Sequence, residues 1–290
     1  MFLSIIIPVY QDAGGLKSTI TTLLDNNSEI SDFEIIICID GGGEADINMS
    51  LEIIQLYPKQ QITYHCIKIN KGSYNARNIG AKDAIGNVFA FLDAGVYVQK
   101  GWFVALKKYI EVYDYIAGSV EIPWEWARDI FEKYESITAF PVKEYLSIEH
   151  FGPTANMIVR QDVFINVGGF DNRLLSGGDV EFGKKVSKSK YTQYFSSEIL
   201  VLHAPRNKVE IMNKIDRVTK GLADLRKFHP NVFKKKNENN FVVLIKTLIK
   251  IFFFPSKFKS KQSNKLSWVD FVITESTVAY YRFISQTKYL

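Results

Sequence analysis

The first hundred residues alternate short β-branched runs with longer stretches of helical composition, and this alternation restricts the fold more than any other feature of the chain. The strand-like runs are residues 4–9, 34–39, 62–69 and 87–92, and the helical stretches are residues 14–26, 45–57 and 74–85. Such a rhythm is typical of βαβ units, whose strands lie parallel in one sheet. We therefore predict an α/β fold with a doubly wound, mainly parallel sheet.

The residues that follow the strand-like runs are the first candidates for a ligand site. In doubly wound sheets, ligands bind in the crevice beyond the carboxyl ends of the strands. Asp40 and Asp93 are carboxylates that directly follow two of the runs. Either one is suited to hydrogen-bond a base or ribose, or to bind a cation. Because aspartate also caps turns after strands, a purely structural role stays open for both.

The segment NKGSYNARNIGA, residues 70–81, combines a flexible turn with polar side chains at a predicted helix start. Gly72 permits a tight turn, and Gly80 lets the helix approach the sheet closely. Asn75 and Arg77 offer hydrogen-bond donors near that helix terminus, where anions bind. Arg77 is therefore a candidate ligand of phosphate or carboxylate, with a solvated or salt-bridged arginine as the alternative.

Six segments, in their order along the chain, resemble the family 2 glycosyltransferases with a GT-A fold, of the type that assembles bacterial surface polysaccharide. They read SIIIPVY, ICIDGGG, INKGSYNARNIGA, FLDAGVYV, GPTANMIVRQDVFINVGGFD and SGGDVEFGKK. The resemblance implies a catalytic domain over residues 1–221, with a nucleotide-binding half, 1–100, and an acceptor-binding and catalytic half, 101–221. We interpret the aromatic-rich segment 121–152 as an acceptor-side insertion. Residues 222–290 are predicted to form a basic, amphipathic helical extension.

The resemblance also implies which residues bind the donor. They are Pro8, Val9, Tyr10, Asp40, Asn75, Arg77 and Asp93. Asp93 occupies the first position of the DxD element, which holds a divalent metal in such enzymes. Here the element reads Asp93-Ala94-Gly95, so the second carboxylate is missing. A Mg²⁺ or Mn²⁺ cofactor is therefore in doubt, and Asp93 with His203 are the candidate ligands.

Asp179 occupies the position of the catalytic base in the resemblance. Displacing a nucleotide diphosphate from an anomeric carbon needs a carboxylate that accepts the proton of the acceptor hydroxyl. Gly178 stands where relatives carry glutamate, and with Gly177 it leaves room beside Asp179. Glu181 would point to a different side of the helix. The alternative role for Asp179 is a helix N-cap.

Three basic or polar residues near the predicted last strand are candidates for contact with the diphosphate: His203, Arg206 and Lys208. A lone histidine also serves structural roles, and both roles stay open for His203. The QxxRW element of processive synthases is absent from the sequence. Transfer of a single sugar is therefore expected.

Together these features predict an inverting, hexosyltransferase-type enzyme that moves one sugar from a nucleotide-sugar, with UDP favoured, to a hydroxyl of a glycan or lipid-linked glycan. The alternative is a catalytically weakened scaffold that binds nucleotide-sugar or glycan, because Gly95 and Gly178 replace acidic residues. Nucleic acid is not an expected partner, because the net charge of +5 is modest.

The C-terminal region suggests an anionic membrane surface as a partner. The run 241–255 is too short and too charged to span a bilayer, but residues 241–265 carry Lys246, Lys250, Lys257, Lys259, Lys261 and Lys265. Packing of this helix on the protein is the alternative. The first residues lack the basic and cleavable features of a secretory signal. We therefore predict a cytoplasmic protein, peripheral on the inner face of the cell membrane.

Overall fold

The computed structural model describes residues 1–27, 32–234, 240–253 and 266–290, with the backbone alone at residues 246 and 248–253. The strands are β1 (Leu3–Val9), β2 (Phe33–Asp40), β3 (Gln61–Ile67), β4 (Val88–Leu92), β5 (Val96–Val98), β6 (Tyr115–Glu121), β7 (Asn156–Arg160) and β8 (Gln193–His203). The helices are α1 (Ala13–Asn26), α2 (Glu44–Leu56), α3 (Ser73–Asp83), α4 (Trp102–Ile110), α5 (Ile130–Thr138), α6 (Val142–Glu144), α7 (Gln161–Asn166), α8 (Gly178–Lys188), α9 (Lys208–Phe228), α10 (Asn240–Phe253) and α11 (Trp268–Tyr289).

Within the described ranges, eight strands form one sheet in the order β3-β2-β1-β4-β7-β6-β8-β5. Strands β1 to β4 are parallel wherever they pair with one another, and β6 is parallel to β8. Strands β7 and β5 run antiparallel to their neighbours. The predicted α/β fold with a mainly parallel sheet is therefore confirmed, and the four strands expected in the first hundred residues are all present.

Helix α3 lies very close to the centre of the sheet. A Cβ atom at Gly80 would come within 2.7 Å of Ile6 Cγ2 and 2.8 Å of Cys38 Sγ, so only glycine allows this approach. Every residue of β1 and β2 is buried, as expected for central parallel strands covered on both faces. The close approach fixes the height of α3 above the strand ends, and with it the positions of the side chains in its first turns.

Asn156 holds together the second half of the sheet. The pairing of β6 with β8 shifts register after Gly118, and such an irregularity removes ladder hydrogen bonds. Asn156 is fully buried, and its Nδ2 donates to the carbonyl oxygens of Ser119 and Ile199, each at 2.8 Å. Its Oδ1 accepts from Trp102 Nε1 at 2.9 Å. One amide side chain therefore joins β7, β6, β8 and α4.

The described residues divide into two compact units, and neither follows the predicted domain boundary. The first unit contains residues 1–121 and 140–203, and the second contains 122–139 and 204–290. The expected boundary at residue 221 falls inside helix α9, where a continuous helix leaves no linker. The aromatic segment 121–152, interpreted as one insertion, is shared between the two units.

The second unit is helical and has its own apolar core. Buried side chains from α5, α9, α11 and the residues just before α11 form it: Tyr134, Ile211, Leu266, Phe271 and Val278. Helix α11 is therefore part of a packed structure. None of the helices in the described ranges has the length and apolar character needed to cross a membrane.

We expect Asn156→Ala to lower the free energy of unfolding by about 3 kcal/mol, because it leaves a buried indole N–H and two carbonyl groups without partners. Urea titration of the full chain, followed by circular dichroism, measures the change. Asn166→Ala is the control, since Asn166 is exposed and bonds only the hydroxyl of Tyr191. Equal stability of the two variants would contradict the central role of Asn156.

Candidate functional site

Two of the three residues expected to border a nucleobase are buried in the sheet. Pro8 and Val9 belong to β1, whereas Tyr10 follows the strand and is exposed. The ring of Tyr10 lies against Gly41, where an added Cβ would be 3.0 Å from Tyr10 Cε2. Tyr10 is therefore the residue of this trio that offers a flat face to a ligand. The contact with a base stays a prediction.

Asp46, in the first turn of α2, shapes the loop after β1. It is buried, and its carboxylate accepts hydrogen bonds from the backbone N–H groups of Gln11, at 2.7 Å, and Asp12, at 3.1 Å. These bonds hold Gln11 at a positive φ of 51°. Sequence reasoning did not identify Asp46, because an acidic residue in the first turn of a helix is common for reasons of helix dipole alone.

Asp40 has the same kind of role for the loop after β3. Its buried carboxylate accepts from the backbone N–H groups of Lys71, at 2.9 Å, and Gly72, at 2.8 Å. Gly72 has a φ of 91°, a conformation that favours glycine, and leads directly into α3. Asp40 is thus engaged by the protein's own backbone. Its predicted contact with the base or ribose stays a prediction.

Arg77 is a buried cation rather than a solvated one. Its side chain is only 2% exposed and pairs through Nη2 with the carboxylate of Asp93, which is 38% exposed. In the part of the chain that the structure describes, no hydrogen-bond acceptor meets Arg77 Nε, Arg77 Nη1 or Asn75 Nδ2, although all three atoms are buried. Buried donors are nearly always satisfied. These three atoms are therefore suited to a polar ligand.

Asp179 lies in the first turn of α8, but it is not the N-cap. Gly177 occupies the cap position, and Asp179 Oδ1 accepts from the adjacent Val180 N–H at 3.0 Å and from the Tyr74 hydroxyl at 3.1 Å. Burial raises the pKa of Asp179 above the usual value of an aspartate. A carboxylate whose charge is incompletely solvated is a stronger base, as the predicted role requires.

Glu181, the other acid of this turn, is directed elsewhere. It is buried, and its Oε2 lies 3.1 Å from Lys185 Nζ, four residues further along the same helix. Its carboxylate is thus engaged by a lysine of its own helix. The geometry therefore favours Asp179 over Glu181, as the glycines before it suggested.

The side chains alone do not assemble a metal site. Asp93 is already paired with Arg77, and Gly95 has no side chain to offer. The other candidate ligand, His203, ends β8, where its ring lies 5.4 Å from the ring of Phe140. Among the described residues, no three His, Cys, Asp or Glu side chains lie together as a metal-binding group. A cation at this strand end would compete with Arg77 for the carboxylate of Asp93.

Arg206 and Lys208 belong to the second unit. Arg206 Nη1 lies 2.9 Å from Glu135 Oε1, and Lys208 Nζ lies 5.3 Å from the ring centre of Phe131. Lys214 Nζ approaches the same Glu135 oxygen at 3.2 Å, so two cations share one buried carboxylate. Both predicted phosphate ligands thus make contacts within their own unit, and their contact with a diphosphate stays a prediction.

Comparison with known families decides the identity of the chain. The profile of Glycosyl transferase family 2 matches residues 4–168, more than half of the sequence. The chain is a family 2 glycosyltransferase. It is similar to the glycosyltransferase AglE of Haloferax volcanii, with 29% identity over 225 residues that cover 76% of this chain and 72% of AglE. The resemblance to this family is confirmed, and the chain is therefore a transferase enzyme.

Solved structures place this glycosyltransferase in the GT-A fold. The mannosyltransferase PcManGT from Pyrobaculum calidifontis, in complex with GDP-Man and Mn²⁺, has a TM-score of 0.67 at 12% identity, over 99% of this chain and 86% of PcManGT. TarS 1–349 from S. aureus, in complex with UDP-GlcNAc, has a TM-score of 0.53 at 18% identity, over 100% of this chain and 91% of that one. The predicted GT-A architecture is therefore confirmed.

We expect Asp93→Ala to cost more stability than Arg77→Met, because it leaves the buried guanidinium of Arg77 without its counter-charge. The loss for Asp93→Ala is expected to be about 3 kcal/mol. The double variant Arg77→Met, Asp93→Ala is expected to be more stable than Asp93→Ala alone. Urea titrations of the four proteins measure this cycle. If the double variant is the least stable protein, Asp93 does not stabilise the fold by compensating the charge of Arg77.

Proposed function

We propose that this glycosyltransferase moves a single sugar, with inversion, from a nucleotide-sugar to a hydroxyl of a glycan or lipid-linked glycan during surface polysaccharide assembly. The observation that carries the proposal is the position of Asp179. This carboxylate lies at the start of α8, is fixed by the Tyr74 hydroxyl, and has its pKa raised by burial. Such a group is suited to accept a proton from an alcohol.

The reaction is a single displacement at the anomeric carbon. Asp179 accepts the proton of the acceptor hydroxyl as that oxygen forms its bond to the sugar. The bond between the sugar and the nucleotide diphosphate breaks on the opposite face, and the electron pair leaves with the diphosphate. Attack opposite the leaving group inverts the configuration. One carboxylate is sufficient, because no covalent sugar intermediate has to be formed or released.

The donor is proposed to bind at the carboxyl ends of β1, β2 and β4. Tyr10 offers a ring for a base, and the buried donors of Asn75 and Arg77 are suited to ribose or phosphate oxygens. UDP stays the favoured nucleotide, with GDP as its competitor; among the related structures named above, PcManGT holds GDP-Man and TarS holds UDP-GlcNAc. A metal that arrives with the diphosphate would have Asp93 as its protein ligand, in competition with Arg77. His203, Arg206 and Lys208 stay candidates for the diphosphate.

The competing proposal is a scaffold that binds nucleotide-sugar or glycan without catalysis. Gly95 and Gly178, which stand where relatives have acidic residues, are the reason to keep it. A scaffold gains thermal stability on adding a nucleotide-sugar but releases no nucleotide diphosphate. An enzyme does both. A panel of UDP- and GDP-sugars, read by thermal shift and by diphosphate release, separates the two and identifies the donor.

We expect Asp179→Asn to reduce transfer at least about a hundredfold, the usual scale for removing a general base. Because burial disfavours the charged carboxylate, the neutral amide should keep or raise the melting temperature at pH 7. In the wild type, the acid limb of kcat/KM should lie at higher pH than an ordinary aspartate would give. Steady-state assays over pH 4–9 measure this. Asp162→Asn, at an exposed site, is the control. If Asp179→Asn turns over nearly as fast as the wild type, Asp179 is not the general base.

The enzyme is also proposed to bind an anionic membrane surface on its cytoplasmic side. Helix α11 carries an exposed apolar stripe, formed by Val269, Ile273, Tyr280 and Ile284. These positions fall on one face of the helix. The lysines from Lys246 to Lys265 on which the prediction also rests lie outside the described side chains. An apolar stripe beside a basic segment is the combination that interfacial helices use.

We expect Ile273→Glu with Ile284→Glu to weaken binding to anionic vesicles by about tenfold or more, since each isoleucine contributes roughly 1 kcal/mol when its side chain leaves water. Cosedimentation with vesicles of phosphatidylcholine and phosphatidylglycerol measures this in the full chain. Ile148→Glu, at an exposed site of the first unit, is the matched control and should bind as the wild type does. Equal binding by all three proteins would show that α11 does not contact the membrane surface.

A further inference from the structure

Tyr74 makes the one side-chain hydrogen bond to Asp179 within the described residues. Tyr74 lies in the first turn of α3 and is buried, and its hydroxyl donates to Asp179 Oδ1 at 3.1 Å. The Val180 N–H donates to the same oxygen, at 3.0 Å. Both of these bonds end on Oδ1, so they anchor one carboxylate oxygen and leave Oδ2 as the oxygen that the proposal assigns to the proton.

The ring of Tyr74 also explains the glycine before Asp179. A Cβ atom at Gly178 would lie 2.7 Å from Tyr74 Cδ2 and 2.8 Å from Cε2 and Cγ, distances that no real side chain tolerates. Gly178 is the first residue of α8, so helical backbone geometry does not itself demand glycine there. The glycine is required because the tyrosine ring fills the space that a side chain at this position would need.

Two neighbouring side chains pack on the ring of Tyr74. The ring of Phe170 lies 5.4 Å from it, centre to centre, and the guanidinium carbon of Arg77 lies 5.6 Å from its centre. Burial raises the pKa of Tyr74 well above its usual value, and the charge of Asp179 adds to this. The hydroxyl therefore stays protonated, and remains a donor, over the whole range in which an enzyme of this kind works.

We infer that Tyr74 is a positioning residue for Asp179, and that Gly178 is the adaptation that admits it. This inference rests on the proposed role of Asp179 as the base. The hydroxyl fixes Oδ1, orients Oδ2 toward the acceptor, and stabilises the charged carboxylate against the effect of burial. On this view Gly178 is no sign of a weakened enzyme, because a tyrosine from α3 supports the base in place of a side chain at position 178.

Tyr74→Phe tests the hydroxyl while keeping the ring. Loss of a donor to a carboxylate makes its charged form less stable, so the pKa of Asp179 should rise further. The acid limb of the kcat profile should move to higher pH by about one unit. At a pH below the new limb, kcat should therefore be about tenfold lower than in the wild type, with KM for the donor little changed. Tyr115→Phe is the matched control, since the buried Tyr115 hydroxyl bonds the Gly152 backbone instead. It should lose stability without moving the limb.

A readout without catalysis separates failure of this inference from failure of the base. Carbon-13 NMR of labelled aspartate, assigned to Asp179 by its loss in Asp179→Asn, follows the carboxyl titration directly. A higher pKa of Asp179 in Tyr74→Phe supports the contact whether or not Asp179 is the base. An unchanged titration and an unchanged acid limb would overturn the role of Tyr74. If Asp179→Asn is fully active while the titration does shift, the base assignment fails and the contact stands.

Gly178→Ala tests the packing half of the inference. The added methyl group should displace the Tyr74 ring and reduce kcat about tenfold or more, because the base loses its anchored orientation. In a Tyr74→Ala background, where the ring is absent, the same substitution should have little further effect. Melting temperatures of all four proteins establish that each is folded. Equal losses from Gly178→Ala in both backgrounds would show that the glycine serves another purpose.

Discussion

Burying a guanidinium costs free energy unless a negative charge lies next to it. In the first unit, the buried guanidinium of Arg77 imposes this requirement on the residues around it. The close packing of α3 on the sheet through Gly80 brings Arg77 under the end of β4, where Asp93 is available. The same helix face carries Tyr74, one turn earlier, to the start of α8. Asp93 and Asp179 are therefore both held by side chains of α3. The distance between these two carboxylates depends on the position of that helix on the sheet.

The loops around this helix are stabilised by the same device, used twice. Asp40 and Asp46 are buried carboxylates, and each accepts two backbone N–H groups from a neighbouring loop. Bonds from backbone amides to a carboxylate are stronger than those between neutral groups. The result is a rim of loops whose shape is set before any ligand arrives, as a site that aligns two substrates needs.

The sequence allowed the strands β1 to β4 to be predicted, because their rhythm is a local signal. The motifs indicated Asp93 and Asp179, whose roles stay predictions. The contacts between them were not predictable, because Tyr74 and Asp179 are 105 residues apart and no periodicity connects them. The contacts of Asn156 were not predictable for the same reason, since they join residues that lie far apart in sequence. The compact units do not follow the predicted boundary at residue 221, because the second unit combines segments that lie far apart in sequence, which composition does not reveal.

That interleaving has a consequence for synthesis of the chain on the ribosome. Helix α5 leaves the ribosome long before α9 and α11, yet its Tyr134 packs on Phe271 and hydrogen-bonds Glu275. Until the last helix is made, an aromatic segment that includes Trp124 and Phe131 has no completed core to enter. Contacts of such long sequence separation form late. The nascent protein therefore carries an apolar loop, flanked by a sheet that can already assemble, which is a natural substrate for chaperones.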